Sequence, residues 1–246
     1  MKLSVLIPAH NEESLIEKTV CEIFNVLTNE EIQHEILVVD DHSTDRTSEV
    51  LTGAGEKVPS LRCINNSMPR GFGHAVRCGL NNFDGDCVAI LMADASDSPH
   101  DLVRFYRTLC RGNYDAVFGS RFVVGGGVDG YPIIKLCINR IANNFIRLLF
   151  CMQYNDVTNA FKIYRAETIE GLNPFHASYH NLTAELPLKV IIRGYSYTWL
   201  PNKWFGRKAG STKFRIFSLS FHYSLTVFRC FVEKYLNFSD NLKGGN

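Results

Sequence analysis

The stretch LSVLIPAHNEESLIEKTVCEIFNVL, residues 3–27, contains the strand and helix on which the fold prediction rests. Its first part, residues 3–9, is an apolar run bounded by Pro8, which predicts a buried strand. Large apolar side chains then recur near helical spacing, which predicts an amphipathic helix, at Leu15, Val20, Ile23 and Leu27. A buried strand followed directly by a helix is typical of parallel sheets, because parallel strands need a crossover connection.

The same alternation continues through residue 122. Further short apolar runs predict strands within residues 34–43, 61–65, 87–94 and 115–122. Helices are predicted between them, within residues 43–51, 71–83 and 98–112. Ser43 or Thr44 is the expected N-cap of the first of these helices, and Pro99 lies in the first turn of the last. We therefore predict an α/β fold with a mostly parallel sheet and helices on both faces.

Length and composition indicate one globular domain, with room for an appendage. The chain has 246 residues, of which 46% are hydrophobic and 21% charged, a balance that argues against general disorder. The formal net charge is +1, so the overall charge gives no indication of nucleic acid as a partner. The eight cysteines are scattered without metal-binding spacing, and the N-terminus leads straight into a strand rather than a charged leader. We therefore expect a reduced, cytoplasmic protein.

Candidate site residues follow four of the predicted strands. In parallel α/β sheets, ligands bind outside the carboxyl ends of the strands, so these residues are expected at one edge. They are, strand by strand, Pro8, His10, Asn11 and Glu12, then Asp40 and Asp41, then Asp94, Ser96 and Asp97, then Ser120 and Arg121. A single acidic strand end is most often a helix cap, and Asp97 or Ser98 fits that role before the helix at Pro99. Four coincident ends favour a ligand site.

The residue types at these ends suit a nucleotide and a metal ion. Adjacent carboxylates such as Asp40 and Asp41 can accept hydrogen bonds from ribose hydroxyls or from a base N–H. A carboxylate and a hydroxyl two residues apart, Asp94 and Ser96, can share a hard divalent cation that bridges a diphosphate. The glycine-rich RGFGHA at residues 70–75 opens a predicted helix but is a weak signal by itself.

Seven segments together resemble a known family. They are, in order, VLIPAHNEE, EILVVDDHSTDRT, RGFGHAV, LMADASDSP, FGSRFVVGG, DVTNAFKIYR and WFGRKAGSTKF. Their order is that of family-2 glycosyltransferases, and more narrowly the chain resembles polyprenol-phosphate sugar synthases of the dolichyl-phosphate mannose synthase type. The resemblance implies the GT-A nucleotide-diphospho-sugar transferase fold, a nucleotide-sugar donor, Mg²⁺ or Mn²⁺, and a polyprenyl phosphate acceptor. It also implies a peripheral position at the cytosolic face of a membrane.

On the donor side, the resemblance places three residues of the first strand end in the nucleobase pocket: Pro8, His10 and Glu12. His10 stands where relatives usually have Tyr. The resemblance also assigns Asp41, together with Asp40, to the nucleoside.

The acidic metal motif departs from the family pattern. The family usually has Asp-Ala-Asp followed two residues later by Gln, whereas this chain reads Met92-Ala93-Asp94 with Ser96 in the Gln position. The resemblance makes Asp94 a metal and nucleotide ligand, with Ser96 beside it. Asp97 either restores the missing carboxylate or only caps the following helix, and both alternatives stay open.

On the acceptor side, the resemblance assigns Arg121 to the acceptor phosphate, with Lys135 where relatives often carry Arg. Asn139 and Arg140 follow one turn later, on a helix predicted over residues 133–150. Its apolar face consists of Ile134, Ile138, Ile141, Phe145 and Leu148, and its polar stripe of Lys135, Asn139, Asn143 and Arg147. We expect Arg147 to face water.

Further roles follow from the resemblance for residues in the second half of the chain. The resemblance places Asp156 beside the reacting centre, either as a base or as a positioning group. The positioning alternative arises because a phosphate monoester, with a second pKa of about 6, needs little deprotonation. Glu185 either contacts the sugar or caps a helix. Arg207 and Lys213 bracket a basic loop that would close over the donor diphosphate, or lie near anionic lipid.

Residues 214–246 are predicted as an aromatic-rich amphipathic tail that follows a catalytic domain of residues 1–213. Residues 216–228 contain no Asp, Glu, Lys or Arg, but a transmembrane helix needs roughly 20 apolar residues. The tail either lies in a membrane interface or packs on the core of the protein. A small membrane-anchoring partner is a further candidate.

The predicted function is an inverting transfer of a sugar from a nucleotide-diphosphate sugar, of the GDP-mannose or UDP-glucose type, to a polyprenyl phosphate. One alternative is a family-2 transferase with a soluble saccharide acceptor, which would not need Arg121, Lys135 and Arg140 at one phosphate. The other is a catalytically silent nucleotide-sugar-binding subunit, which Met92 in the metal motif favours.

Overall fold

The computed structural model describes residues 1–206 and 216–243, with side chains described through residues 1–206 and 221–235. Its strands are β1 (Leu3–Ala9), β2 (His34–Asp40), β3 (Leu61–Asn65), β4 (Cys87–Ile90), β5 (Ala116–Ser120), β6 (Gly127–Asp129), β7 (Lys162–Arg165), β8 (Tyr197–Pro201) and β9 (Lys203–Phe205). Its helices are α1 (Ile16–Asn29), α2 (Thr47–Gly55), α3 (Phe72–Leu80), α4 (Pro99–Gly112), α5 (Ile133–Leu149), α6 (Ala166–Gly171), α7 (Leu182–Ile192) and α8 (Ile216–Lys243). The predicted diphosphate-binding residues Arg207 and Lys213 lie outside the described residues.

Seven of these strands form one sheet in the order β3-β2-β1-β4-β7-β5-β8, and β6 pairs with β9 in a separate ladder. The pairs along the large sheet are parallel except those that β7 makes with β4 and β5, which are antiparallel. The predicted mostly parallel sheet is therefore confirmed. Because β7 runs against its neighbours, its first residue, Lys162, lies beside the carboxyl ends of β4 and β5.

Helices cover both faces of the sheet, as predicted. Val5 and Ile7 belong to the hydrophobic core beneath α1, α2 and α4. Leu6, between them, points to the opposite face and joins the core beneath α3, α6, α7 and α8. This alternation follows from the two-residue period of a strand.

The boundaries of the elements differ from the prediction in two places. Strand β4 ends at Ile90, so the acidic motif that follows it lies in a loop rather than a strand. The predicted N-cap of α2 at Ser43 or Thr44 is wrong, because the helix begins at Thr47. Ser43 and Thr44 instead hydrogen-bond to Asn11 in the loop after β1. Tertiary contacts between two loops therefore override the local capping signal.

Helix α5 is turned with its polar stripe inward. Asn143 is fully buried, whereas Arg147 is exposed to solvent as predicted. The apolar residues on the other face are exposed: Ile133, Ile134, Ile138, Ile141, Phe145 and Leu148. An amphipathic helix on a protein surface normally buries its apolar stripe, so this orientation leaves an apolar surface without a partner in the described structure.

Helix α8 packs one face against the domain and exposes the other. Val227 and Cys230 belong to the hydrophobic core, and Thr226 accepts a hydrogen bond from Asn181. Glu233 forms an ion pair with Arg193 at 2.6 Å. Exposed large side chains line the other face: Phe221, Leu225, Phe228, Val232 and Tyr235. The middle of the predicted tail, residues 226–233, therefore packs against the domain.

A helix that spans a bilayer must reach a minimum length and hydropathy. Within residues 1–206 and 216–243, no helix is long and apolar enough to cross a membrane.

The first turn of α3 requires a glycine, which gives a prediction. A Cβ at Gly73 would lie 2.5 Å from the backbone carbon of Ser178 and 2.7 Å from the nitrogen of Tyr179. We expect Gly73→Ala to lower the free energy of unfolding by about 1–3 kcal/mol, because backbone cannot move aside as a side chain can. Urea denaturation measures this change.

The control is Gly53→Ala in α2, where nothing lies within 4 Å of the added Cβ. It should raise the free energy of unfolding by roughly 0.5–1 kcal/mol, because alanine restricts the unfolded chain and favours helix. Equal effects of the two substitutions would contradict the packing of α3 against residues 178 and 179.

Candidate active site

The loops after β1 and β2 are joined into one rim. His10 Nδ1 lies 2.8 Å from the carbonyl oxygen of Asp41, and the backbone N–H of Glu12 donates to Thr47 Oγ1 at 2.9 Å. Asn11, at the tip, has a positive φ of 55°, a conformation that Asn tolerates better than most residues. Pro8 is buried within β1 opposite Val39. The structure thus brings His10 and Glu12 together with the second strand end, while Pro8 lies in the sheet below them.

The two carboxylates after β2 both hold neighbouring loops in place. Asp40 accepts hydrogen bonds from the Ser43 backbone N–H at 2.9 Å and from Ser48 Oγ at 2.5 Å. Burial alone would raise the pKa of Asp40, but these hydrogen bonds lower it below its ordinary value. Asp41 accepts from the Gly71 N–H at 2.9 Å and from Asn66 Nδ2 at 2.7 Å. Asp41 therefore fixes the glycine-rich loop against β2, and its contact with a nucleoside stays a prediction.

The acidic motif after β4 is buried and compact. The backbone N–H of Ser96 donates to Asp94 Oδ1 at 3.2 Å, and that of Met92 donates to Asp97 Oδ2 at 3.2 Å. Burial raises the pKa of Asp97 to about 7, and the nearby charge of Asp94 adds to the effect. Ser96 Oγ is buried and finds no hydrogen-bond partner in the described part of the chain.

The capping role considered for Asp97 is wrong. Ser98 occupies the N-cap of α4, and no side chain hydrogen-bonds there as a cap. The carboxylate of Asp97 instead turns back to the backbone of Met92, the position at which relatives have the first Asp of the motif. This placement is the one expected if Asp97 restores the missing charge.

The segment that leads into the basic loop crosses this motif. Phe205 donates its backbone N–H to the Ser96 carbonyl at 3.2 Å, and Gly206 donates to the Asp129 carbonyl at 2.8 Å. Trp204 packs edge-on against Tyr131, with ring centroids 5.0 Å apart. Residue 207, the first of the basic loop, therefore follows directly from a segment bonded to the acidic motif.

A buried ion pair joins the ends of β5 and the loop before β7. The backbone N–H and Nε of Arg121 donate to Asp156 Oδ2 at 2.9 and 2.8 Å, and Nη2 donates to Oδ1 at 2.7 Å. Asp156 is fully buried and Arg121 nearly so. Although burial opposes the charge, Asp156 raises the pKa of Arg121 above its ordinary value. The two predicted residues thus lie together, with both carboxylate oxygens of Asp156 engaged by Arg121.

The polar stripe of α5 lines the same pocket. Asn139 Nδ2 and Asn143 Nδ2 donate to Thr158 Oγ1 at 2.8 and 3.0 Å, two residues beyond Asp156. The guanidinium of Arg140 stacks over the ring of Phe122 at 4.3 Å from its centroid. Arg140 Nη1 is buried, and no described residue accepts a hydrogen bond from it. Lys135 is partly exposed at the open end of this stripe.

Glu185 does not cap a helix, because it lies within α7, whose N-cap is Asn181. It accepts backbone hydrogen bonds from His176 and Ala177 and forms an ion pair with Lys189 at 3.2 Å. These contacts hold the segment that precedes α7. The predicted contact of Glu185 with the sugar stays a prediction.

Comparison with known proteins identifies the family. The profile of Glycosyl transferase family 2 matches residues 4–172. The chain belongs to glycosyl transferase family 2. This family-2 transferase is 30% identical to a dolichol-phosphate mannosyltransferase of Pyrococcus furiosus over 198 residues, which cover 79% of this chain and 53% of that protein. The chain therefore spans about half the length of that relative.

Two further comparisons extend the match. A polyprenol monophosphomannose synthase of Mycolicibacterium smegmatis is 28% identical to this family-2 transferase over 218 residues, which cover 85% of this chain and 79% of the relative. The fold matches that of glucosyl-3-phosphoglycerate synthase from Mycobacterium tuberculosis in complex with Mn²⁺, UDP and phosphoglyceric acid. The TM-score is 0.69 and the sequence identity is 18%, and the match covers 95% of this chain and 78% of that one. The predicted GT-A fold is confirmed.

The acidic motif of the family-2 transferase fits a divalent cation such as the Mn²⁺ bound by that structural neighbour. Asp94 and Asp97 would supply carboxylates, and Ser96 Oγ, which has no hydrogen-bond partner among the described residues, would supply a third oxygen. The described residues contain no cluster of three or more His, Cys, Asp or Glu side chains placed for a metal. Mg²⁺ sites commonly use only one or two protein carboxylates, with phosphate oxygens and water completing the shell.

The acidic motif gives a prediction about metal binding. We expect Asp94→Asn to abolish Mn²⁺ binding in the presence of GDP or UDP, because Asp94 is the one carboxylate of the family metal motif that this chain keeps. Asp97→Asn should weaken binding by about tenfold or more. Titration calorimetry measures both effects.

Asp101→Asn is the control, because its carboxylate pairs with Arg104 on α4. It should leave Mn²⁺ affinity unchanged. Equal Mn²⁺ affinity for wild type and Asp97→Asn would remove Asp97 from the metal site.

Proposed function

We propose that this family-2 transferase moves a sugar, with inversion, from a nucleotide-diphosphate sugar of the GDP-mannose or UDP-glucose type to a polyprenyl phosphate. One observation carries the proposal. A buried guanidinium nitrogen of Arg140 has no hydrogen-bond partner among the described residues. Arg140 lies beside the Arg121–Asp156 pair, on a helix whose outer face is apolar. A buried cationic donor of this kind fits an anion. The two mannose synthases that match the chain support the choice of a lipid phosphate.

The donor is assigned to the rim and the acidic motif. His10, Glu12, Asp40 and Asp41, above Pro8, would enclose the nucleoside, and Arg207 and Lys213 would cover the diphosphate. Asp94, Ser96 and Asp97 would hold Mg²⁺ or Mn²⁺, which supplies charge neutralisation for the diphosphate when bound. The described segment that precedes these two residues is bonded to the motif, through the Phe205 N–H and the Ser96 carbonyl.

The acceptor phosphate is assigned to the pocket between β5 and α5. Arg140 and Lys135 would bind its oxygens, Asn139 would hold Thr158 at its edge, and Arg121 would add its charge while bonded to Asp156. Arg140 is already fixed by Phe122, so little rotamer freedom is lost on binding.

Transfer in this pocket needs little proton abstraction. A phosphate oxygen of the acceptor forms the new bond to the anomeric carbon, and the bond from that carbon to the donor diphosphate breaks, which releases a nucleoside diphosphate. The acceptor is largely ionised at neutral pH because its second pKa is about 6. Asp156 already accepts three hydrogen bonds from Arg121, so it is better suited to positioning than to taking a proton.

The apolar faces of α5 and α8 support a lipid acceptor over a soluble saccharide. The sequence has no acidic residue between Asp129 and Asp156, while Lys135, Arg140 and Arg147 are basic. Apolar side chains flanked only by positive charge fit an anionic lipid surface. We therefore propose peripheral binding to the cytosolic face of a membrane, with a small membrane-anchoring partner as a further candidate. The silent-subunit alternative loses support because the Asp97 carboxylate lies next to Met92, 3.2 Å from its backbone nitrogen.

The lipid-surface proposal predicts a vesicle-binding result. The double variant Ile141→Ser and Phe145→Ser should lower binding to vesicles of phosphatidylcholine and phosphatidylserine by about tenfold, because it removes two exposed apolar side chains. Co-sedimentation measures binding. Ile141→Leu with Phe145→Leu keeps the apolar surface and should bind as wild type does. If the wild-type protein does not bind these vesicles, the result would favour a soluble acceptor.

The acceptor pocket predicts a kinetic result. Arg140→Ala should lower kcat/KM for polyprenyl phosphate by about two to three orders of magnitude, with little change in affinity for the sugar nucleotide. Turnover with radiolabelled GDP-mannose and UDP-glucose measures the effect and identifies the donor. Arg147→Ala, on the exposed side of α5, is the control and should keep wild-type turnover. If Arg140→Ala weakens only sugar-nucleotide binding, the acceptor assignment is wrong.

A further inference from the structure

A second buried cation lies beneath the Arg121–Asp156 pair. Lys162 is 1% exposed and begins β7, where it pairs with Ile90 of β4 and Phe118 of β5. These partners precede the acidic motif and Arg121 respectively. Lys162 therefore lies between the donor and acceptor halves of the site, although none of the described contacts places it against either substrate.

Among the described residues, the ammonium group of Lys162 hydrogen-bonds to backbone carbonyls alone. Its Nζ donates to the carbonyl oxygens of Val157 at 3.1 Å, of Asn159, and of Thr183 at 3.1 Å. The three N–H donors of a lysine are thereby matched to three acceptors. Two of these carbonyls belong to the loop that begins at Asp156, and the third belongs to the first turn of α7. Lys162 thus ties the Asp156 loop to a helix of the core.

Burying this ammonium group has an unfavourable free energy of desolvation, which a role in the site would explain. Burial lowers the pKa of Lys162 to about 7, while the negative charge of Asp156 acts in the opposite direction. A methionine of similar length would fill the same space without the desolvation penalty of a charge. Other hydrogen bonds of the loop join it to different elements: the Thr158 N–H donates to Asn143 Oδ1 on α5 at 3.3 Å, and Asn159 Nδ2 donates to the Gly119 carbonyl of β5 at 3.0 Å. Among the described hydrogen bonds, those of Lys162 are the ones that join the loop to α7.

We propose that Lys162 is a positioning residue for sugar transfer: it fixes the backbone of residues 157–159, and through it the Asp156 carboxylate and Thr158. Asp156 is bonded to Arg121, and Thr158 to Asn139, two residues assigned above to the acceptor phosphate, so the inference rests on the proposed function for its kinetic consequence. A displacement of about 1 Å at a reacting centre can lower a rate by about a hundredfold. Lys162 acts through the loop and is therefore expected to affect kcat rather than donor affinity.

The chain contains a matched control. Lys189 is also buried, at 2% exposure, and its Nζ donates to the carbonyl oxygens of Leu172 and Pro174. It holds the segment before α7 and has no described contact with residues 156–160. Lys189 Nζ also forms an ion pair with Glu185 at 3.2 Å, so Lys189→Met removes a buried ammonium together with an ion pair, at a place away from residues 156–160.

Hydrogen exchange tests the contact independently of the acceptor. In Lys162→Met, the amides of Thr158, Asn159 and Phe161 should exchange at least about tenfold faster than in wild type, because their loop is released. In Lys189→Met, exchange should instead rise around residues 172–177. Unchanged exchange of residues 158–161 in Lys162→Met would overturn the proposal, whatever the acceptor is.

Kinetics test the consequence. Per folded molecule, Lys162→Met should lower kcat by about tenfold or more and leave Mn²⁺–nucleotide affinity within about twofold, whereas Lys189→Met should keep kcat. Lys162→Arg, which keeps charge and donors, should recover part of the loss. A wild-type enzyme inactive toward lipid phosphate would refute the proposed function and leave the exchange result to decide this inference. If neither Lys162→Met nor Lys162→Gln folds while Lys189→Met does, the role of Lys162 is stability alone and the proposal is wrong.

Discussion

The ion pair between Arg121 and Asp156 is the interaction on which the arrangement of the site depends. Burying two charges is favourable only when their geometry is good and their remaining hydrogen-bonding capacity is used. Here three hydrogen bonds join the pair, and the surrounding chain is shaped to provide them. The end of β5, the loop before β7 and the inner face of α5 all meet at this point. The inward polar stripe of α5 follows from the same requirement, because Thr158 beside the pair takes hydrogen bonds from Asn139 and Asn143.

Much of the sheet could be predicted because its strands are short, buried and locally encoded. The bounds of β1 and β3 match the apolar runs, and α4 begins at Pro99 as expected. The antiparallel direction of β7 could not be predicted, since direction depends on the path of the chain rather than on local composition. The prediction of the N-cap of α2 was wrong for a related reason. Ser43 and Thr44 are good cap residues, but both hydrogen-bond to Asn11 across the rim.

Some residues of the candidate site could likewise be predicted from the sequence, and others could not. The acidic and basic residues at strand ends were found from their positions, because parallel topology brings such ends together. Periodicity found both stripes of α5 but not which one faces inward, since an apolar stripe is normally buried. Phe122 and Thr158 were missed because neither residue type signals a site on its own. Lys162 gave a usable signal, a lysine at the start of an apolar strand, which is rarely buried without a reason.

The contact of Trp204 with Tyr131 has a spectroscopic consequence. The chain contains two tryptophans, and the other, Trp199, lies in β8, partly buried against the core beside Tyr154 and Tyr197. Trp204 instead pairs through its backbone with Asp97, next to the acidic motif. Its indole is partly exposed, so its emission is sensitive to changes in polarity and to a paramagnetic ion nearby. With Trp199 replaced by Phe, the protein would carry a single tryptophan, next to the acidic motif, and excitation selective for tryptophan would follow ion occupancy there without a label.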